Sequence, residues 1–261
     1  MLNTETIARI AGRPANDNLR SVARALTDHG TRVGLARPHR LAHFLAQVLH
    51  ETGRGRWDRE LWGPTPAQAR YEGRADLGND RPGDGARYKG RGAIQITGRD
   101  NYRQFTRWAR SLDPRAPDFE ADPEAVLTDP WEGLSAIWYW STRNLNAIAD
   151  EGDVDGVGGM VNAGRRGRMP NGAEDRRALY TRAALVLLGH PPDAVAVFQR
   201  RAGLRADGIA GPLTRAALHR ALLALPPLAS QRPEPRPASR TAHAGFWASL
   251  TAALARLFRR D

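Results

Sequence analysis

The sequence has no cysteine among its 261 residues. Disulfides, a thiolate nucleophile and cysteine-ligated zinc are thereby excluded, although this absence does not fix the compartment. Long apolar runs are missing too. None approaches the ~18 residues that a membrane-spanning helix needs. The opening segment MLNTETIARIAGRP has no basic stretch followed by an apolar one, so no secretory signal is expected and the product should be made in the cytoplasm. Acidic residues are in deficit: 28 Asp and Glu face 39 Lys and Arg, a formal net charge of +11 carried mostly by arginine. Such a charge favours anionic partners such as nucleic acid, anionic lipid or a bacterial envelope, against the plainer reading of an arginine-rich solvated surface.

The length allows one catalytic domain with a buried core and a small accessory module. Residues 1–50 read as helical: Leu41, Phe44, Leu45 and Val48 recur at helical spacing, Pro38 opens the helix, and Gly53 and Gly55 end it. Residues 53–100 are rich in Gly, Pro, Asp and Asn and read as loops, with short strands near Ala93–Thr97. Helical patterns resume over Asn101–Leu112, Pro130–Trp140 and Glu174–Leu188. A loop-rich stretch flanked by helices on both sides suggests a binding cleft rather than a linker. The expected division is a catalytic domain over 1–188, a small helical module over 189–225, a Pro-rich linker over 226–243 and a basic amphipathic helix over 244–261.

Two glutamates stand out. Glu51 in LHETG follows Phe44 by seven residues and Val48 by three, which places it on the apolar face of its helix. A carboxyl facing a core or cleft has its charged form disfavoured, as a general acid requires. Glu60 in WDRELWG comes nine residues later. The intervening glycines let the chain turn so that both carboxyls line one cleft, an arrangement that inverting glycosidases use. Two glutamates at this spacing are also commonly just solvated. His39, His43 and His50 share a helical face, but no HExxH is present and aspartate ligands are lacking nearby, so no metal or other cofactor is expected. His50 reads instead as orienting groups beside Glu51. The segment GRRGRMPNG, residues 164–172, lacks interleaved aromatics, so nucleic acid is not an expected partner.

The run HETGRGRWDRE resembles the motif of family 19 glycoside hydrolases, the chitinase-like family. The segment YKGRGAIQITGRDNY, residues 88–102, resembles the family's longer signature, and LSAIWYW and MVNAG resemble its aromatic helix and its Asn-Gly-Gly turn. The similarity covers roughly residues 35–185 in order, and residues 59–80 resemble its phage-lysin branch. It implies a mainly α, α+β lysozyme-like catalytic domain. It also implies Glu51 as general acid, Glu60 as general base, and Thr97 holding the attacking water. Gln95 and Asn101 would hydrogen-bond the sugar, and Asn162 would contact substrate or the second carboxylate. Tyr88 and Trp62 are candidates for stacking on sugar rings, against ordinary packing. Ala93 and Ala163 depart from the family's Pro and Gly, and Glu72 competes with Glu60 as the second carboxylate.

The segment AVFQRRAGLRADGIAGPLTRAAL, residues 196–218, resembles part of a small peptidoglycan-binding module through Phe198, Gln199, Gly203, Leu204, Asp207, Gly208, Gly211 and Thr214, but looks shortened. A helical extension packed on the catalytic domain is the alternative. In the tail, Phe246, Leu250, Leu254 and Leu257 share a face and Arg256, Arg259 and Arg260 crowd its end, which suits an anionic membrane or lipopolysaccharide surface. The expected whole is a monomeric phage-type endolysin that cuts peptidoglycan glycan strands at the cell wall after release from the cytoplasm. A chitinase, or a noncatalytic wall-binding phage component, are the alternatives.

Overall fold

The computed structural model describes residues 2–228. The tail helix expected over 244–261, with its membrane contact, and all but the first three residues of the expected linker lie outside the described residues.

Helices dominate. The first fifty residues form three of them: α1 (Thr4–Ala11), α2 (Asp17–His29) and α3 (Pro38–Glu51). Their starts are chemically marked. Asn3 accepts from Thr6 N at 2.8 Å, Asn16 accepts from Leu19 N at 3.0 Å, and Pro38 occupies the first turn of α3, where a missing N–H costs nothing. Short α4 (Pro66–Ala69) and α5 (Asp84–Arg87) interrupt the loop-rich stretch. Then follow α6 (Arg99–Leu112), α7 (Trp131–Thr142), α8 (Leu145–Asp150), α9 (Val154–Ala163) and α10 (Ala173–Leu187). The last two, α11 (Val195–Arg201) and α12 (Pro212–Leu223), carry the module-like sequence.

α3 runs through the core, packed chiefly on α10, while α2 packs on α7. Large rings fill the space between helices: Phe44 meets Trp140 edge-on at 5.5 Å, and Phe105 stacks on Phe119 at 4.7 Å. α12 packs on both α3 and α10. Within the module-like segment the buried Gln199 organises the turn. Its Nε2 donates to Asp207 Oδ1, Ile209 O and Thr214 Oγ1 at 2.9–3.0 Å, and its Oε1 accepts from Gly208 N at 2.9 Å.

One sequence expectation needs correction. The strand expected near Ala93–Thr97 is absent; the segment turns back on itself, with only isolated bridges Arg59–Arg91 and Arg91–Ile96. Gln95 has φ 54° and its N–H donates to Gly92 O at 3.1 Å, a local reversal that an extended strand cannot accommodate. Conversely, α8 and α9 went unread. α9 carries Gly156, Gly158 and Gly159, which ordinarily argue against a helix. They are there for close approach: a Cβ at Gly159 would stand 2.6 Å from Arg168 O, and one at Gly158 2.8 Å from the Pro170 ring.

Candidate active site

Glu51 is the last residue of α3, and a tight reversal follows it. Thr52 Oγ1 donates to Val48 O at 2.7 Å and accepts from Gly55 N at 2.9 Å, while Gly53, Arg54 and Gly55 all adopt positive φ. Two clamps fix this turn. Asn16 and Asn18 both donate to Gly55 O, and Asp175 of α10 takes His50 Nδ1 at 2.8 Å and Arg54 Nη2 at 2.9 Å. Burial works against the charge on Asp175, yet the hydrogen bonds from His50 and Arg54 outweigh it and hold its carboxyl below the ordinary range. The turn sends the chain back, and Glu60 arrives in the same cleft as Glu51.

That cleft measures about 890 Å³ and is lined by Glu51, Glu60, Gln95, Thr97, Asn101 and Asn162 among others. The two carboxylates are held differently. Glu51 Oε1 accepts from Arg176 Nη2 at 2.6 Å, and the arginine is buried, with its other groups on Gln47 Oε1 and Asn171 O. Glu60 has no charged partner within salt-bridge distance among the described residues. Its Oε1 accepts from Gln68 Nε2 at 3.1 Å and Tyr71 OH at 3.5 Å, and its Oε2 from Gly90 N at 3.1 Å. Burial first, then the Glu60 charge, pushes the Tyr71 hydroxyl above its ordinary range, so it remains a donor. An added Cβ at Gly90 would stand 2.9 Å from Gln95 Oε1, so a larger residue here would push the Gln95 side chain aside.

The Tyr88–Tyr102 signature splits into two roles. Tyr88, Arg91 and Tyr102 are buried supports. Arg91 donates to Glu124 Oε1, Tyr102 OH and two backbone carbonyls, and Tyr102 OH donates to Lys89 O at 2.6 Å. Gln95, Thr97 and Asn101 line the cleft. Thr97 Oγ1 donates to Gln95 O at 3.0 Å, Gln95 Nε2 to Gly92 O at 3.0 Å, and Asn101 Nδ2 to Thr97 O at 2.7 Å. Asn101 Oδ1 accepts from Arg143 Nη2 at 2.9 Å, and Asn162 Oδ1 from Asn171 N at 3.0 Å.

One aromatic candidate, Tyr88, is corrected. Tyr88 is 2% exposed, packs 5.4 Å from Tyr102 and donates its hydroxyl to Glu120 O, so it offers no ring face to a ligand. Trp62 is half-buried and lies 6.2 Å from the ring of Tyr71, which lines the cleft. Glu72 points elsewhere: its two oxygens accept from Gly83 N at 2.6 Å and Gly85 N at 2.8 Å, pinning a turn. His39 and His43 are buried away from His50, beside α12.

Sequence reasoning missed Arg176, Gln47, Tyr71 and Arg143. Arg176 left a signal: it stands three and four residues before Leu179 and Tyr180 and seven before Ala183, so it occupies a core phase of α10 where a charge demands a partner. Arg143 left none, since its value lies in reaching Asn101 and covering the Tyr139 ring at 4.1 Å, both set by tertiary packing.

Comparison with known proteins agrees with this architecture. Residues 193–218 match the family described as "Putative peptidoglycan binding domain". A "Glycosyl hydrolase family 19 domain-containing protein" of Haemophilus influenzae is 35% identical over 117 residues, 44% of this chain and 50% of that relative, so the match spans about half of the relative's length. Among solved structures, chitinase C from Streptomyces griseus HUT6037 shares 21% identity at a TM-score of 0.53, over 73% of this chain and 78% of that one. A mutant of chitinase C gives 20% identity and a TM-score of 0.54, over 72% of this chain and 93% of that one. The chain is therefore similar over part of its length to a glycosyl hydrolase family 19 protein, shares the fold of the chitinase C structures, and carries a peptidoglycan-binding-type segment behind it.

Proposed function

We propose that the protein is a glycoside hydrolase that cuts β-1,4 bonds of peptidoglycan by direct displacement, and that it serves as an endolysin. The observation that carries this reading is the placement of Glu51 and Glu60, unequally supported, in one large polar cleft. Arg176 occupies one oxygen of Glu51, leaving Oε2 to deliver a proton to the glycosidic oxygen. Glu60, surrounded by neutral donors, takes a proton from a water that attacks the anomeric carbon, and Thr97 holds that water. Gln95, Asn101 and Asn162 offer polar contacts to the sugar. No cofactor enters this scheme.

The peptidoglycan-binding-type segment and the net charge of +11 favour the anionic wall over chitin. In this reading the protein is made in the bacterial cytoplasm and works, as a monomer, at the wall. Mass analysis of the sugars released from purified sacculi tests the reading, with chitooligosaccharides in parallel. Saccharide fragments with intact stem peptides are expected from sacculi, with inverted anomers by NMR at early times. Cleavage of chitooligosaccharides alone would make it a chitinase. Wall binding without any cleavage would make it a noncatalytic wall-binding component.

A further inference from the structure

Four polar side chains stand one helical turn apart on one face of α3: His39, His43, Gln47 and Glu51. Spacing by four makes a continuous stripe along a helix, and here the first three members are buried. Arg176 and Tyr180, likewise one turn apart, face this stripe from α10, and α12 adds His219. Both ends of the array are tied down. At one end His39 Nε2 meets Asp150 Oδ1 at 2.8 Å and His219 Nε2 meets Asp150 O at 3.1 Å. At the other, Arg176 bonds Gln47 Oε1 and Glu51 Oε1.

Between the ends lie five buried polar atoms with no protein hydrogen-bond partner: both ring nitrogens of His43, Gln47 Nε2, the Tyr180 hydroxyl and His219 Nδ1. Only one other such atom, Glu132 Oε1, occurs among the described residues, so the concentration is local. The rings are close: His43 lies 4.5 Å from Tyr180 and 6.1 Å from His219. Donors and acceptors also balance. Gln47 gives its oxygen to Arg176, so its amide N–H must donate elsewhere. His219 donates through Nε2 to the Asp150 carbonyl, which leaves Nδ1 an acceptor. Burial pushes His43 down to about 3, so it is neutral and supplies one donor and one acceptor, and Tyr180 supplies either. Folded proteins rarely leave such groups unpaired, and a polar, enclosed site with several partners is where internal water resides.

We propose that ordered internal water joins His43, Tyr180 and His219 to Gln47, and that these three are positioning residues which hold Arg176, and through it Glu51, in register. The role in catalysis rests on the hydrolase reading above. It makes α12 part of the machinery that aligns the acid.

The test uses the full-length chain. In a high-resolution crystal structure, ordered water within hydrogen-bond distance of His43 and Tyr180 is expected; a dry site overturns the proposal. Tyr180→Phe and His43→Leu are each expected to lower kcat about tenfold on soluble wall glycan, the scale of a slightly misplaced catalytic group. KM should stay constant and Tm should hardly fall. His43→Gln, which keeps a donor and an acceptor, should restore most of the rate. His219→Leu should behave like His43→Leu although it lies on α12. Variants that match an active wild type, or that lose kcat only in step with Tm, remove the positioning role alone. A folded wild type that cleaves neither wall glycan nor chitooligosaccharide removes the hydrolase reading, and the positioning role with it.

Discussion

Glu51 ends a helix of 14 residues and leans on a buried arginine from a second helix, whereas Glu60 sits in irregular chain and is held by neutral donors from the loops around it. Arg176 is 125 residues away from Glu51 in sequence; Gln68, Tyr71 and Gly90 all fall within 30 residues of Glu60. The difference is one of how position is secured. The first carboxylate inherits its place from helix packing and from a charge pair that cannot be broken cheaply. The second is placed by short-range hydrogen bonds whose loss disturbs little else.

The comparison can be broken most directly at Glu51. Glu51→Gln preserves the shape and the oxygen facing Arg176 but cannot give a proton, so sugar release should fall about 10³–10⁴-fold while circular dichroism and Tm stay near wild type. Near-normal turnover would end its assignment as the acid. Arg176→Leu should cost about 3–5 kcal/mol in urea denaturation, because it leaves the Glu51 carboxylate and the Gln47 amide oxygen without their buried partner. A cost no larger than that of an ordinary surface change would show that the charge pair does not secure the helix end. Glu60→Gln should lower turnover about 10²–10³-fold with almost no change in the urea midpoint, the signature of a locally held group.

Acid should weaken the helix-borne side first. Folded His43 is held down at about 3, and burial lowers His39 and His219 in the same direction. The unfolded chain takes up these protons near pH 6.5, so the folded state refuses what the unfolded state accepts. The stabilisation is complete above pH 6.5 and is lost as pH falls towards 3, at up to about 1.4 kcal/mol per pH unit for His43 alone. Urea titrations from pH 8 to pH 4 should show this slope, and His43→Leu should flatten it; an unchanged slope in the variant would place the proton uptake elsewhere. The smallest effect is expected at Glu72. Glu72→Gln should cost about 1 kcal/mol through its weakened hold on the Gly83–Gly85 turn and leave turnover intact. An inactive Glu72→Gln beside an active Glu60→Gln would reverse the assignment of the second carboxylate.

By itself the sequence determined what is local. The period of Leu41, Phe44, Leu45 and Val48 with Pro38 at its head marks α3 to within a residue, because burial of a helical stripe and a first-turn proline are properties of neighbours in the chain. The glycines after Glu51 announce a reversal for the same reason, and the Phe198–Thr214 pattern marks a turn that Gln199 closes within 15 residues. What only the tertiary structure decided depends on partners far away in the chain. Tyr88 and Gln95 sit seven residues apart in one signature, yet one packs on Tyr102 in the core and the other lines the cleft. The glycines of α9 read as helix breakers until Arg165, Arg168 and Pro170 are seen to occupy the space where side chains would stand. The core phase of Arg176 on α10 calls for a partner, but which one is decided only where α3 and α10 meet, since a buried charge is tolerable only where a distant carboxylate and amide converge on it.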